Sequence, residues 1–395
     1  MGINEVIMWI LMICMVLGGL DRAIGNKFGL GEKFEEGINA MGPLALSMVG
    51  VYSLSPILAK VLGVVIRPVY EFLGADPAMF AGTLLANDMG GWPLAQALTG
   101  NPDAQKLSGL ILGAMMGATI VFTIPVALGI INKEDRGFLA RGVMAGIVTI
   151  PIGVVVSGLV AGMSPVFVLR QTVPIVLVAI LLAVGLWFKP DMMTRGFEAF
   201  GKGLVFMISI GLILCIFQGV LQVFPTITDA DGNELFVLFG AQDASGWVMK
   251  PATEGFGIIA SIAMALAGAF PAVHLIVTFG RKPLAAVGKL MGVNDTAAGG
   301  FIATLANNIA MFEIMKNMDA RGKILNAAFA VSAAFAFGDH LGFTAGVMPD
   351  MIAAMISGKL VAGIAAVALA LLMFRNAFPA SGAAEESAAA QAQEA

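Results

Sequence analysis

Histidine and cysteine are scarce in this chain, two of each among 395 residues, and charged residues make up only 12% of it. Cys14 and Cys215 lie in separate apolar stretches and read as small hydrophobes rather than a disulfide or a metal pair. So few His and Cys ligands argue against a zinc centre, and neither a metal nor a cofactor is expected. No HExxH, GxSxG, CxxC or P-loop lysine pattern occurs, so no known catalytic constellation is visible and the chain cannot by itself drive an ATP-powered pump. It reads as a protein that is not an enzyme. Soluble domains carry roughly 25% charge. With about half that and 58% hydrophobic residues, the chain reads as a polytopic membrane protein whose partner is the lipid bilayer, not nucleic acid. The first apolar stretch has Asn4 and Glu5 at its head instead of a basic region, and Asp21-Arg22 stands where a cleavage site would be needed. It therefore reads as a retained span, not a signal peptide.

Apolar runs of spanning length, about 20 residues, fall near 3–20, 38–66, 107–131, 138–161, 165–188, 204–222, 252–280, 324–348 and 352–375. Five basic clusters separate them: Arg22 to Lys33, Lys133 to Arg141, Lys189 to Lys202, Arg281 to Lys289, and Lys316 to Lys323. The other connections are assigned single basic residues, Arg67, Lys106, Lys250 and Lys359. The positive-inside rule puts the clusters in the cytoplasm. The N-terminus is then outside and the C-terminus cytoplasmic, in a multi-pass protein of a bacterial inner membrane.

Two further segments, 73–98 and 292–315, are apolar but interrupted by polar and glycine-rich strings. One holds Ala86-Asn87-Asp88 and Gly90-Gly91-Trp92-Pro93, the other Gly299-Gly300 and Ala306-Asn307-Asn308. Hydrocarbon gives backbone amides no partners, so such stretches persist at membrane depth only when buried in protein or lining a cavity. Their flanking charges place each segment's two ends on one side, so both are expected to be re-entrant hairpins that enter from opposite faces, as in secondary transporters. The expected architecture is all-α, with about nine transmembrane helices and two broken hairpins in an inverted repeat. Residues 1–161 form the first repeat, 162–203 a connecting span and cytoplasmic loop, 204–375 the second repeat, and 376–395 a disordered cytoplasmic tail. Leu73-Gly74-Ala75-Asp76 parallels Met291-Gly292-Val293-Asn294 across the halves.

Asp88 is the leading candidate for chemistry. An intramembrane carboxylate is costly unless paired or hydrated, and no Lys or Arg neighbours it in sequence. A cationic substrate would supply the missing charge, with Asn87 and Gln96 adding oxygen acceptors. The plain alternative is a cap on the half-helix that begins at Gly90-Gly91. Asn307 and Asn308 occupy the matching position in the other half, as substrate contacts or as ties for the broken backbone. Asp339-His340, inside the 324–348 run, is a second candidate, either a proton relay or substrate contact or an interhelical hydrogen bond. Glu313 is expected to pair with Lys316 at i+3. Asp229, Asp231, Glu234 and Asp243 form an acidic outer loop ahead of Glu254, a solvated loop rather than a cation-gathering vestibule. Gly109, Gly113 and Gly117 make a small-residue stripe suited to close helix contact.

The strings DRAIGNKFGLGEKFEEGINAMGPLALSMVG (21–50), TLLANDMGG (83–91) and LGAMMGATIVFTIPVALGI (112–130) resemble the ethanolamine permease (EutH-type) family, and the resemblance runs from Met1 to about Phe374. It implies transport of ethanolamine into the cytoplasm, facilitated or proton-linked. It supplies no binding residues. Asp88 with Asn87, Asn307 and Asn308 would offer an ammonium and a hydroxyl what they need. Four heavy atoms at a ceiling of about −1.5 kcal/mol each set the dissociation constant no tighter than roughly tens of micromolar. The alternatives are a carrier for another small polar solute, such as a nucleoside or a different amine, or a non-transporting scaffold or sensor for ethanolamine metabolism. The residues leave homo-oligomerisation and energy coupling open.

Overall fold

A computed structural model describes residues 2–374, apart from 230, 231, 242 and 244 and the side chains of 280–290. Asp231, the side chains of Arg281, Lys282 and Lys289, and the expected tail 376–395 lie outside the described residues. Helices α1 (Ile3–Ala23), α2 (Leu30–Asn39) and α3 (Met41–Phe72) open the chain. The first broken segment follows as α4 (Met79–Leu84), a tight turn over Asn87–Met89, and α5 (Gly91–Leu98). A single rod, Pro102–Ile130, begins as α6 (Pro102–Gln105), winds as π-helix over Lys106–Gly117 and Thr119–Thr123, and ends as α7 (Ile124–Ile130). Helices α8 (Arg136–Val160), α9 (Pro165–Phe188) and α10 (Pro190–Leu221) come next. Three short antiparallel strands, β1 (Thr226–Thr228), β2 (Glu234–Phe239) and β3 (Trp247–Met249), precede α11 (Ala252–Leu290). The second broken segment is α12 (Asp295–Ala306) and α13 (Asn308–Ile314), followed by α14 (Ala320–Ala333), α15 (Asp339–Val347) and α16 (Ile352–Met373).

The protein is an all-α polytopic membrane protein with one small extramembrane sheet. Among the described residues, eight helical rods are long and apolar enough to cross a bilayer, and each coincides with an expected run. The ninth run, 324–348, is not one helix. It is cut between Ala333 and Asp339, where Phe335 adopts a left-handed backbone (φ 60°). The amides of Phe335 and Phe337 donate to the carbonyl oxygens of Thr304 (3.1 Å) and Leu305 (3.0 Å) at the end of α12. The break thus exchanges intrahelical hydrogen bonds for bonds to a neighbouring helix end, which otherwise leaves carbonyls unsatisfied. Gly338 permits this approach, because a Cβ there would collide with the carbonyl oxygen of Ala306. A second departure is that 190–203, expected as a cytoplasmic loop, forms the first turns of α10. Pro190 suits the first turn, where its missing N–H costs nothing.

Both polar segments double back. Thr99 Oγ1 donates to Asp76 Oδ2 at 2.8 Å, tying the end of the first segment to its start. In the second, Asn294 donates through its backbone amide to Asp319 (2.9 Å) and through Nδ2 to the Asn317 carbonyl (3.0 Å). Gly74 (φ 71°) and Gly292 (φ 66°) both enter these segments in the left-handed region.

The 102–130 rod, α8, α14 and α16 form the centre. Thr119 Oγ1 on the rod donates to the Val331 carbonyl on α14 (2.9 Å), and Thr149 Oγ1 on α8 donates to the Ala362 carbonyl on α16 (3.1 Å). The glycine stripe on the rod is where the first broken segment packs. A Cβ on Gly109 would sit 2.9 Å from Trp92 Cα, and one on Gly117 would overlap the Leu85 carbonyl. At the periphery α9 and α10 turn apolar side chains outward, with Leu181 and Phe206 each 69% exposed. That is a lipid-facing surface, not a solvent-facing one. Cys14 and Cys215 are buried and free.

Candidate functional site

The chain breaks at Ala86 because Leu85 and Ala86 turn extended (ψ 137° and 152°) after one and a half turns of α4. It restarts at Gly90, which caps α5 with φ 99°, a left-handed conformation that glycine adopts without strain. The amides of Met89 and Gly91 both donate to the Ala86 carbonyl, at 3.1 and 2.8 Å. Asp88 is therefore held on a tight turn between two half-helices. It makes no side-chain cap to α5, which removes the plain alternative of an N-cap.

Opposite this turn stands the unexpected break at 334–338. The two breaks and the π-helical rod enclose one small cavity, about 30 Å³. The first break contributes Ala86, Asp88 and Met89, the rod Ala118 and Phe122, and the second break Phe335, Asp339 and His340. Asp88 and Asp339 both retain accessible surface there, whereas His340 is buried at 3% exposure. Phe335 packs edge-on to Phe122 (centroids 5.6 Å) and lies 5.2 Å from the His340 ring. Aromatic faces thus close one side and carboxylates define the other. Asp339 occupies the first turn of α15, where helix N–H dipoles favour negative charge.

Lys359 is the residue that sequence reasoning misplaced. It is not on a connection but inside α16, with 1% exposure. Its Nζ lies 3.0 Å from His340 Nδ1 and donates to the carbonyl oxygen of Ala114 on the π-helix. A protonated Lys359 can only donate, and Nδ1 would then be the acceptor with the ring proton on Nε2. Asp88 is within electrostatic range of Lys359, and Asp339 within range of Asp88 and of Glu36 on α2. The ionisable groups gathered here are two carboxylates, Asp88 and Asp339, and the Lys359 amine.

The other candidates do not line this cavity. Asn87 is fully buried, and neither its Oδ1 nor its Nδ2 has a partner, an expensive state for a buried amide. Asn308 donates from Nδ2 to Thr123 Oγ1 at 2.9 Å, one residue from Phe122, and its Oδ1 is unpartnered. Asn307 accepts the Ile309 amide at 2.8 Å and caps α13. Gln96 is half-buried near the far end of α5. Glu313 is exposed and forms no ion pair with Lys316 among the described residues, since α13 ends between them at Ile314.

Asp229 and Asp243 between α10 and α11, and Glu254 at the head of α11, have partners of their own. Hydrogen bonds from the Ser245 hydroxyl and amide hold the Asp243 carboxyl below the usual range. Asp229 accepts from the Asn233 amide at 2.8 Å, and Tyr52 donates to Glu254 at 2.6 Å. These acids fold the loop more than they offer an open vestibule.

The family described as "Ethanolamine utilisation protein, EutH" matches residues 3–373. The chain is 54% identical to the "Probable ethanolamine permease EutH" of Listeria monocytogenes over 98% of its own length and 99% of the relative's. It is 48% identical to the protein of the same name from Salmonella typhimurium, across the whole of both chains. A Bacillus subtilis relative, "Uncharacterized protein YxeR", is 41% identical over 94% of this chain and 95% of its own. No solved structure matches.

Proposed function

We propose, because the chain belongs to the EutH family of ethanolamine utilisation proteins, that it is a permease carrying ethanolamine into the cytoplasm by alternating access. The observation that carries this reading is the cavity between the two chain breaks, lined by Asp88, Asp339 and His340, with Lys359 Nζ 3.0 Å from His340 Nδ1. With both carboxylates ionised and the lysine protonated the site would carry −1, which in a desolvated setting calls for one monovalent cation. Ethanolamine near neutral pH is such a cation, and its hydroxyl finds acceptors or donors in the unpartnered Asn87 amide or at Asn308. A water needs on the order of 10–15 Å³, so a cavity of about 30 Å³ holds two or three waters, not a four-heavy-atom solute. Loading such a solute would require the breaks to separate. Both are lever points, since each joins two short helices through backbone with few local hydrogen bonds.

The companion proposals are that residues 1–161 and 204–375 form inverted repeats joined by 162–203, that the hairpins enter from opposite faces, and that the protein sits in the inner membrane with its C-terminus cytoplasmic. The paired left-handed glycines Gly74 and Gly292 support the repeat, and the basic clusters support the orientation. Cysteines placed at Gln105 and Asn317 should label from opposite faces; labelling from one face would sink the inverted arrangement.

The function itself is tested by labelled-ethanolamine counterflow in liposomes containing the purified protein, with choline, serine and uridine as competitors. Exchange suppressed by unlabelled ethanolamine alone is the expected result. Exchange suppressed by uridine instead would assign a nucleoside carrier, and none above protein-free liposomes would reject the permease reading.

A further inference from the structure

A wider concavity lies away from the central site. It measures about 910 Å³ and sits where the end of α7, the start of α8, the end of α9 and the start of α10 converge. Its deeper wall is apolar, formed by Ile124, Leu128, Val143 and Leu186. Its mouth carries three guanidinium groups, Arg136, Arg141 and Arg195. All three residues are exposed, and among the described residues none forms a salt bridge. Arg136 Nη2 donates to the Leu128 carbonyl at 3.3 Å, which holds that group over the groove. Asp191 and Glu198 also reach the rim, so cations outnumber carboxylates by three to two there. Trp187, 60% exposed at the end of α9, marks the headgroup level, where aromatic residues collect.

Depth and chemistry run in parallel. Arg141 is five residues into α8 and Val143 seven, so at 1.5 Å per residue the wall descends roughly 10 Å below the helix start. A free anion would use the arginines and leave the apolar wall bare. A zwitterionic lipid would use the wall and leave the excess positive charge uncompensated. We propose that this groove is a binding site for an anionic phospholipid, its phosphate at Arg136, Arg141 and Arg195 and one acyl chain along Leu128 and Val143. Basic pockets between helix ends on the cytoplasmic face are suited to such headgroups, and that face is the one the positive-inside rule assigns to these arginines.

Native mass spectrometry of the full chain in detergent, supplied with equal phosphatidylglycerol and phosphatidylcholine, reads the preference directly. The wild-type protein should retain phosphatidylglycerol at least tenfold over phosphatidylcholine. The triple variant R136Q/R141Q/R195Q should fall to within about twofold of parity. Ala140→Phe, which fills the groove and leaves the arginines in place, should lose the retained lipid as well, and it decides the matter if the triple variant is not monodisperse. A triple variant that keeps the preference would overturn the site, as would a wild type with none. Displacement of phosphatidylglycerol by millimolar inorganic phosphate, with the acyl wall making no difference, would replace it with a free-anion site.

Discussion

Asp88→Asn should abolish ethanolamine counterflow while leaving the protein folded. Asparagine is nearly isosteric with aspartate, and Asp88 makes no helix cap whose loss would unravel α5. What changes is charge: the site goes from −1 to neutral, and an ammonium ion entering it meets Lys359 without a carboxylate excess. Removing one partner of a desolvated charge pair costs about 2–5 kcal/mol. At 1.4 kcal/mol per tenfold, that is a loss of at least about 30-fold in affinity, enough to remove exchange at micromolar substrate. Asp88→Glu should behave differently. It keeps the charge but lengthens the side chain in a cavity of about 30 Å³, so partial activity with weakened affinity is expected. Counterflow by the asparagine variant at the wild-type rate would move the cation site elsewhere.

Lys359→Met should cut ethanolamine exchange at least tenfold and shift the preference of the site toward dications. The lysine is as buried as any core residue, and methionine matches its unbranched apolar stem. Its loss leaves His340 Nδ1 and the Ala114 carbonyl without their donor, and it leaves Asp88 and Asp339 with no internal cation. Breaking a buried charged contact in this way costs roughly 3–5 kcal/mol, so a lower unfolding temperature in detergent should accompany the transport defect. With formal charge −2, a short diamine should compete better against ethanolamine than it does in the wild type. Arginine is not expected to rescue, because its planar fork cannot occupy the point position between an imidazole nitrogen and a helix carbonyl. Unchanged competition by a diamine in Lys359→Met would show that the lysine does not set the charge of the site.

Much of this site is legible in the sequence, and what is not has physical causes. Asp88 and Asp339-His340 stand out because ionisable groups in apolar runs need a reason to be there. That they line one cavity cannot be read, since no local pattern links two turns so far apart in the chain. Lys359 belongs to the same class of signal, a lone lysine seven residues inside a spanning run. Charge near the end of an apolar stretch usually marks a loop, but placing this lysine on a connection conflicts with the 352–375 run that contains it, and α16, beginning at Ile352, puts it inside the span. The break at Ala334–Gly338 is invisible in the sequence for a different reason. Its residues are apolar, and what stops the helix is the set of carbonyls at the end of α12. The π-winding of Lys106–Gly117 has no compositional signature at all. Its glycine stripe does announce a close neighbour, though not which one. The broken segments themselves stand out because glycine and asparagine clustered at membrane depth do not suit a lipid-facing helix.

The pairing of two carboxylates with one lysine has an electrical meaning. A site that is −1 when empty and neutral when it holds one ammonium feels the membrane potential on the empty return stroke, not on the loaded one. Each net elementary charge moved through 100 mV is worth about 2.3 kcal/mol, which at 1.4 kcal/mol per tenfold corresponds to roughly 40-fold accumulation. An energised membrane, negative inside, would then concentrate the substrate with no coupling ion, and the lysine would set which stroke carries the charge, since the net charge moved per cycle is the substrate's own.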